Sequence, residues 1–245
     1  MKRKGLVILL TMSLILLILA GYAYMYITEL AKAFGYSENR VVNYKPIVRH
    51  SEPLPYNRWE FKFVTPKSLY ASINFVQFWD EDNYVVQKFM PDGANSDYDS
   101  VDSWDQKAGG FSSAVKNHGE ALPQALMVCW DSVIDKKTYQ TKFIFTPEVR
   151  KLMREPAIYP GYENQPPDYR YKMFIGLAPG GTTRAWLRGI DKNNGNNILI
   201  ATGESVSDDK MTMCQGKTNH PDGYGEYSEE IKALIKGKTY PYGEW

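Results

Sequence analysis

The chain has 245 residues, 29 of them basic and 28 acidic for a net charge of +1, and 14% are aromatic, including 18 Tyr and 6 Trp. So flat a charge balance offers no electrostatic footprint for nucleic acid, and Cys129 and Cys214 alone cannot form a cysteine-rich zinc cluster. The aromatic content suits a pleated, half-buried scaffold better than a helical bundle, and it supplies anchors for a protein interface.

Lys2, Arg3 and Lys4 open the chain, and no residue from Gly5 to Ile27 carries a charge. At about 1.5 Å per residue this run makes a helix of roughly 35 Å, enough for a hydrocarbon core of about 30 Å. The cations place its N-terminus in the cytoplasm and everything after about residue 28 across the membrane. Leu6 to Ala20 equally fits the apolar core of a secretory signal, with Gly21-Tyr22-Ala23 as a small-x-small cleavage site. A retained single-pass anchor in a bacterial inner membrane, residues 1–27, and a cleaved signal that leaves a periplasmic protein therefore both stand. Leu19-Ala20-Gly21-Tyr22 resembles a bacterial lipobox with Tyr22 where the acylated cysteine belongs, so no lipid can be attached there. Removing the segment leaves roughly 218 residues, which one large β-rich domain accommodates.

Residues 28–56 have little apolar periodicity and contain Pro46, Pro53 and Pro55, the pattern of a juxtamembrane stalk. A β-rich domain over 57–245 follows. Trp59, Phe61 and Phe63 share one face of a strand, with Glu60 and Lys62 on the other. Leu69 to Trp79 repeats the pattern, with Leu69, Ala71, Ile73 and Phe75 opposed to Tyr70, Ser72 and Asn74, and Tyr84 to Phe89 pairs back as a hairpin. Further strands are expected at Ala125 to Val133, Tyr139 to Phe145, Tyr169 to Leu177, Thr182 to Arg188 and Ile198 to Thr202. Asp191 to Asn197, DKNNGNN, is a hairpin turn between the last two, because Asn and Gly accept positive φ. Thr146 caps and Pro147 opens a short helix to about Met153; Ser228 caps a second, which Glu229 and Glu230 favour and Gly237 ends. The expected fold is mainly β, with sandwich-like antiparallel sheets, two short helices and one N-terminal transmembrane or signal helix.

Catalytic signatures are missing from the sequence. It contains no G-x-S-x-G nucleophile elbow, no H-E-x-x-H, no Walker loop and no dinucleotide fingerprint after a strand. His118-Gly119-Glu120 lacks the P-C-x-x-C that completes a zinc deaminase site. Ala178-Pro179-Gly180-Gly181 has the glycines of a phosphate cradle, but no Lys follows at Walker spacing, and a tight turn between two strands explains it better. Asp191 to Gly195 has its glycine out of place for a calcium loop. The chain is read as non-enzymatic, without metal or cofactor; a hydrolase using His118 or His220 with a nearby carboxylate is the least favoured reading.

Asp92 to Asp105, DGANSDYDSVDSWD, is the most unusual stretch. As a binding element it offers Tyr98 and Trp104 as anchors inside a rim of Asp97, Asp99, Asp102 and Asp105, suited to a basic groove on a protein partner. A solvated linker is the alternative, and calcium at Asp97 and Asp99 a third. Cys129 and Cys214 form a candidate disulfide in an oxidising compartment; two unpaired thiols are the other reading.

Two stretches carry a resemblance. Met173-Phe174-Ile175-Gly176-Leu177-Ala178-Pro179-Gly180-Gly181 with Ala185-Trp186-Leu187-Arg188-Gly189, and upstream Leu122-Pro123 with Trp130-Asp131-Ser132 and Tyr139, resemble a family of enterobacterial envelope proteins of unknown function, mostly predicted lipoproteins. The similarity spans about Trp59 to Gly203 and implies structural roles for Gly180, Gly181, Trp186 and Gly189. Members and relatives of that family are often encoded beside type VI secretion phospholipase effectors, which implies that they are the immunity proteins of those effectors. Tyr22 departs from the family's lipid-bearing cysteine and favours an inner-membrane tether. The expected function is a periplasmic, membrane-tethered immunity protein that binds a secreted lipase-type toxin, held in the membrane through residues 5–27. A non-catalytic structural or assembly factor of the envelope is the alternative.

Overall fold

The computed structural model describes Gly21 and residues 48–66, 68–94, 117–157, 164–190 and 197–245, with backbone alone over 87–94. It falls into two units, Met1–Val48 and Arg49–Trp245. Of the first, Gly21, which is helical, and Val48 are described; the rest of the expected anchor, 5–27, lies outside the described residues. Among the described residues no helix is long and apolar enough to cross a membrane.

The second unit is mainly β. Its elements are β1 (Trp59–Val64), β2 (Ala71–Asp80), β3 (Val85–Ala94), β4 (His118–Gly119), β5 (Pro123–Ser132), β6 (Lys137–Ile144), α1 (Pro147–Arg154), β7 (Pro156–Ala157), β8 (Asp168–Tyr169), β9 (Lys172–Ala178), β10 (Thr182–Leu187), β11 (Ile198–Thr202), β12 (Glu204–Ser207) and α2 (Glu229–Ile235). One sheet has the order β11-β10-β9-β1-β4 and a second β12-β6-β5-β2-β3; β7 and β8 pair by themselves. The inward residues of both sheets meet in one core: Trp59, Phe61 and Phe63 of β1 with Ile73, Val76 and Phe78 of β2 and Trp130 of β5. The Trp59 ring meets Phe78 edge-on at 5.5 Å. Each large side chain buried here contributes about 1.5–3 kcal/mol, so the alternation legible in β1 sets its orientation.

Three features depart from the sequence expectation. First, β1 runs parallel to β9, pairing Phe61 with Met173 and Phe63 with Ile175, whereas the expected sheets were wholly antiparallel. Second, the alternation in β2 changes phase at Asn74, where the ladder slips against both β3 and β5. This bulge turns Phe75 away from Ala71 and Ile73. Phe75 packs instead with Cys129, Met211 and Cys214 on the outer face, while Val76 and Phe78 continue the core. Third, the single strand expected from Tyr169 to Leu177 is divided into β8 and β9, because Asp168 and Tyr169 pair with β7 and the chain turns at Tyr171 before joining β1.

The hairpin strands β10 and β11 pair antiparallel as expected; residues 191–196 of the turn lie outside the described residues. Thr146 holds the N-cap position of α1 but accepts no helix N–H. Its hydroxyl instead bonds the Glu148 carboxylate, which that bond and the local backbone hold below its usual range. Ser228 does cap α2, its hydroxyl accepting the Ile231 N–H at 3.3 Å. Gly203, between β11 and β12, carries the chain from one sheet to the other. A Cβ there would meet the Thr183 hydroxyl and stand 2.6 Å from Thr141 Cγ2, so only glycine lets the backbone pass between those threonines.

Beyond β12 the chain forms a strap, residues 211–245, whose only α-helix is α2. Cys214 is disulfide-bonded to Cys129 of β5 across 85 residues of sequence, and both are fully buried. Closing a loop of that size removes denatured-state entropy worth about 4–5 kcal/mol in the chain-entropy description. Side chains of the sheet complete the attachment. Gln140 Oε1 accepts the backbone N–H groups of Thr212, Met213 and Cys214 at 3.0, 2.7 and 3.1 Å. The buried Asp131 carboxylate accepts from Asn219 N at 2.8 Å, Thr138 Oγ1 at 2.6 Å and Tyr224 Oη at 3.1 Å. Further along, Ile231 packs with Leu69 and Ile134, and Trp245 reaches Trp186 and Phe174.

Candidate functional site

The contact residues nominated from the sequence, Asp97, Tyr98, Asp99, Asp102, Trp104 and Asp105, lie outside the described residues. The glycine and tryptophan positions are described. Gly180 and Gly181 form the turn from β9 to β10, both at positive φ, 76° and 72°. The Gly180 N–H donates to Asp135 Oδ2 at 3.0 Å, and Tyr240 Oη donates to Asp135 Oδ1 at 2.5 Å. The anion facing this turn is thus the chain's own carboxylate, and the turn joins two strands. Trp186 is buried against Val64, Phe174 and Ala178, and the Gly189 N–H donates to Asn197 Oδ1 at 3.3 Å.

A surface depression of about 500 Å³ lies at the start of β1, lined by Tyr56, Asn57, Arg58, Glu60 and Tyr171. The turn that separates β8 from β9 builds one wall. Tyr171 leaves the β8 ladder and accepts the Glu60 N–H at 2.7 Å, and the Tyr56 ring stands 5.6 Å from Tyr169 and 5.7 Å from Tyr171. Lys172 Nζ lies 5.3 Å above the Tyr171 ring, and Arg58 is 3.5 Å from Glu60. Burial pushes the Tyr56 phenol well above its ordinary range, against an opposing pull from Arg154. The phenol is therefore a neutral donor at physiological pH, and no protein group pairs with its oxygen among the described residues. Tyrosine rings packed at a tilt beside an arginine can hold a partner's apolar and carboxylate groups; nothing in the set is an activated nucleophile. PYNR and PPDYRYK were the local signals for this site, but they lie more than a hundred residues apart and carry no spacing rule.

The chain reaches the depression through residues that the sequence assigned to the stalk. Arg49 Nη1 binds Asp80 at 2.8 Å and Asp82 at 3.3 Å, and Asp82 accepts the His50 N–H, the Ser51 N–H and the Ser51 hydroxyl at 3.0, 2.7 and 2.8 Å. Burial would raise the Asp82 carboxyl, but these bonds outweigh it and hold the group down to about 2. Behind the depression Arg154 Nη2 meets Glu81 at 2.7 Å, and Glu81 also accepts the Leu122 N–H.

The three histidines are dispersed. The His50 N–H serves Asp82, His118 lies opposite Glu60 in the ladder, and His220 stacks on Tyr224 at 4.3 Å. The Asp131 carboxylate, bonded by His220's neighbour Asn219 and by Tyr224, is committed to three donors. Among the described residues no three His, Cys, Asp or Glu converge on a metal position.

A family model described as protein of unknown function (DUF2931) matches residues 39–243. This span is wider than the stretch that carried the resemblance and includes the strap up to residue 243. No curated protein and no solved structure matches the chain. The chain belongs to the DUF2931 family.

Proposed function

We propose that this member of the DUF2931 family is an exported, membrane-tethered binding protein that neutralises a phospholipase-type effector of type VI secretion in the periplasm. The observation that carries the reading is the fully buried Cys129–Cys214 disulfide, a bond that forms and persists in oxidising compartments. A basic, apolar N-terminal run supplies an export signal or anchor. The Tyr56, Arg58 and Tyr171 depression supplies a contact surface of the residue types that dominate protein hot spots. The association with secreted lipases rests on the family resemblance of Met173–Gly181 and Ala185–Gly189.

The test is protection. Cells carrying the full chain are challenged with a lipase-type effector delivered to the periplasm, against cells carrying Arg58→Glu and Tyr171→Ala. Survival with the native chain, lost in the variants at unchanged protein level, supports the reading and the surface. Equal killing with and without the native chain rejects it; an envelope defect on deletion without any toxin would assign the protein to envelope assembly.

A further inference from the structure

The main core is complete without the strap: its buried residues run from Trp59 to Leu187, and the partly buried residues that join them from Leu54 to Ala201. Residues 211–245 pack outside that core: Met211, Met213 and Cys214 on Phe75 and Cys129, Tyr227, Ile231 and Leu234 on Leu69 and Ile134, and the last residue, Trp245, on Val64, Phe174, Ala178 and Trp186. Their hold on the sheet runs through side chains: Gln140 and Asp131 as acceptors, Asn74 Nδ2 to Lys217 O at 2.9 Å, Tyr227 Oη to Ile134 O at 2.6 Å, and one covalent bond. A segment with few ladder hydrogen bonds and little core belongs to the low-stability end of a native structure.

We infer that the strap is a redox-dependent cover: reduction of Cys129–Cys214 releases residues 211–245 as a unit, uncovering the outer face of β2, β5 and β6, while the sandwich stays folded. An external dithiol supplies the two electrons. One of its thiolates attacks the Cys129–Cys214 bond, expelling one cysteine as thiolate and leaving a mixed disulfide with the other. The second thiolate resolves that intermediate, so two cysteine thiols and an oxidised cyclic reductant result. Both sulfurs are buried, so attack follows local opening of the strap. Release uncovers Phe75, Asn74, Asp131 and Gln140, a row of one apolar and three polar side chains already oriented to receive an irregular peptide. This inference is independent of the proposed partner.

The full chain in detergent micelles, with and without dithiothreitol under native conditions, is treated with iodoacetamide and trypsin and read by mass spectrometry. Expected are alkylation of both cysteines and cleavage after Lys217, Lys232, Lys236 and Lys238 about tenfold or more faster than in the oxidised chain, with cleavage after Lys142 and Arg184 unchanged, because proteolysis follows the open population. A Cys129→Ala/Cys214→Ala variant shows the same cleavage without reductant; where it fails to accumulate, the reduced native chain decides alone. Unchanged strap cleavage after alkylation overturns the inference. So does parallel cleavage of the sandwich, and so does alkylation only at global unfolding.

Discussion

Gln140 and Cys214, 74 positions apart, are joined through one amide oxygen: Gln140 Oε1 accepts the Cys214 N–H at 3.1 Å beside those of Met213 and Thr212. A side chain of β6 thereby stands where a neighbouring strand's carbonyl would be, and the disulfide is seated next to it.

Replacing that acceptor tests the attachment. Gln140→Leu strands the buried Cys214 N–H and the half-buried N–H groups beside it, and lowers stability by about 1–3 kcal/mol. Equilibrium urea denaturation measures the loss, and the variant's disulfide is reduced faster than the native one under the same dithiol.

Asp82 gives the domain an acid limit. Its folded carboxyl is held at about 2 by the bonds from Ser51, His50 and Arg49, below its unfolded value near 4. The group therefore stabilises fully above about pH 4, and that contribution is lost as pH falls through about 2. Denaturation followed between pH 5 and 2 shows a steeper decline for the native chain than for Asp82→Asn, which lacks this titration.

Arg154→Ala leaves the Glu81 carboxylate, 13% exposed, without its cation at 2.7 Å. Removing one partner of a fully buried pair costs more than this one, which keeps some exposure on both sides, so a loss of about 2 kcal/mol is expected. A double-mutant cycle with Glu81→Gln isolates the pair, and a coupling near zero would show that Arg154 acts through packing and its bond to the Glu52 carbonyl at 3.0 Å rather than through Glu81.

Gly181→Ala combines two penalties. The backbone is at φ 72°, where an L side chain costs about 1–2 kcal/mol, and the new Cβ would stand 2.8 Å from Tyr139 Cε1. A total near 3 kcal/mol is expected by thermal unfolding, with the site's hydrogen bonds to Asp135 displaced.

Much of the sandwich was legible locally. Trp59, Phe61 and Phe63 alternate because one face of β1 meets a core, and the same rule located β3, β5, β6, β10 and β11 to within a few residues. It failed at Asn74, because a bulge conserves every residue type while reversing the faces, and only pairing to β3 and β5 records the slip. The candidate depression was not legible, since Tyr56, Arg58 and Tyr171 become neighbours only when β1 and β9 run side by side.

The sequence by itself determined the apolar N-terminal run, the β-rich class, the two short helices and the pair of cysteines, because each follows from residue period, caps or composition over a few positions. Tertiary structure alone decided that β1 lies parallel to β9 and that Phe75 faces outward. It also decided that Cys214 meets Cys129 and that the strap of residues 211–245, irregular apart from α2, lies on sheet side chains. Those outcomes depend on contacts between residues far apart in the chain, whose energies enter only when both sheets are assembled around one core.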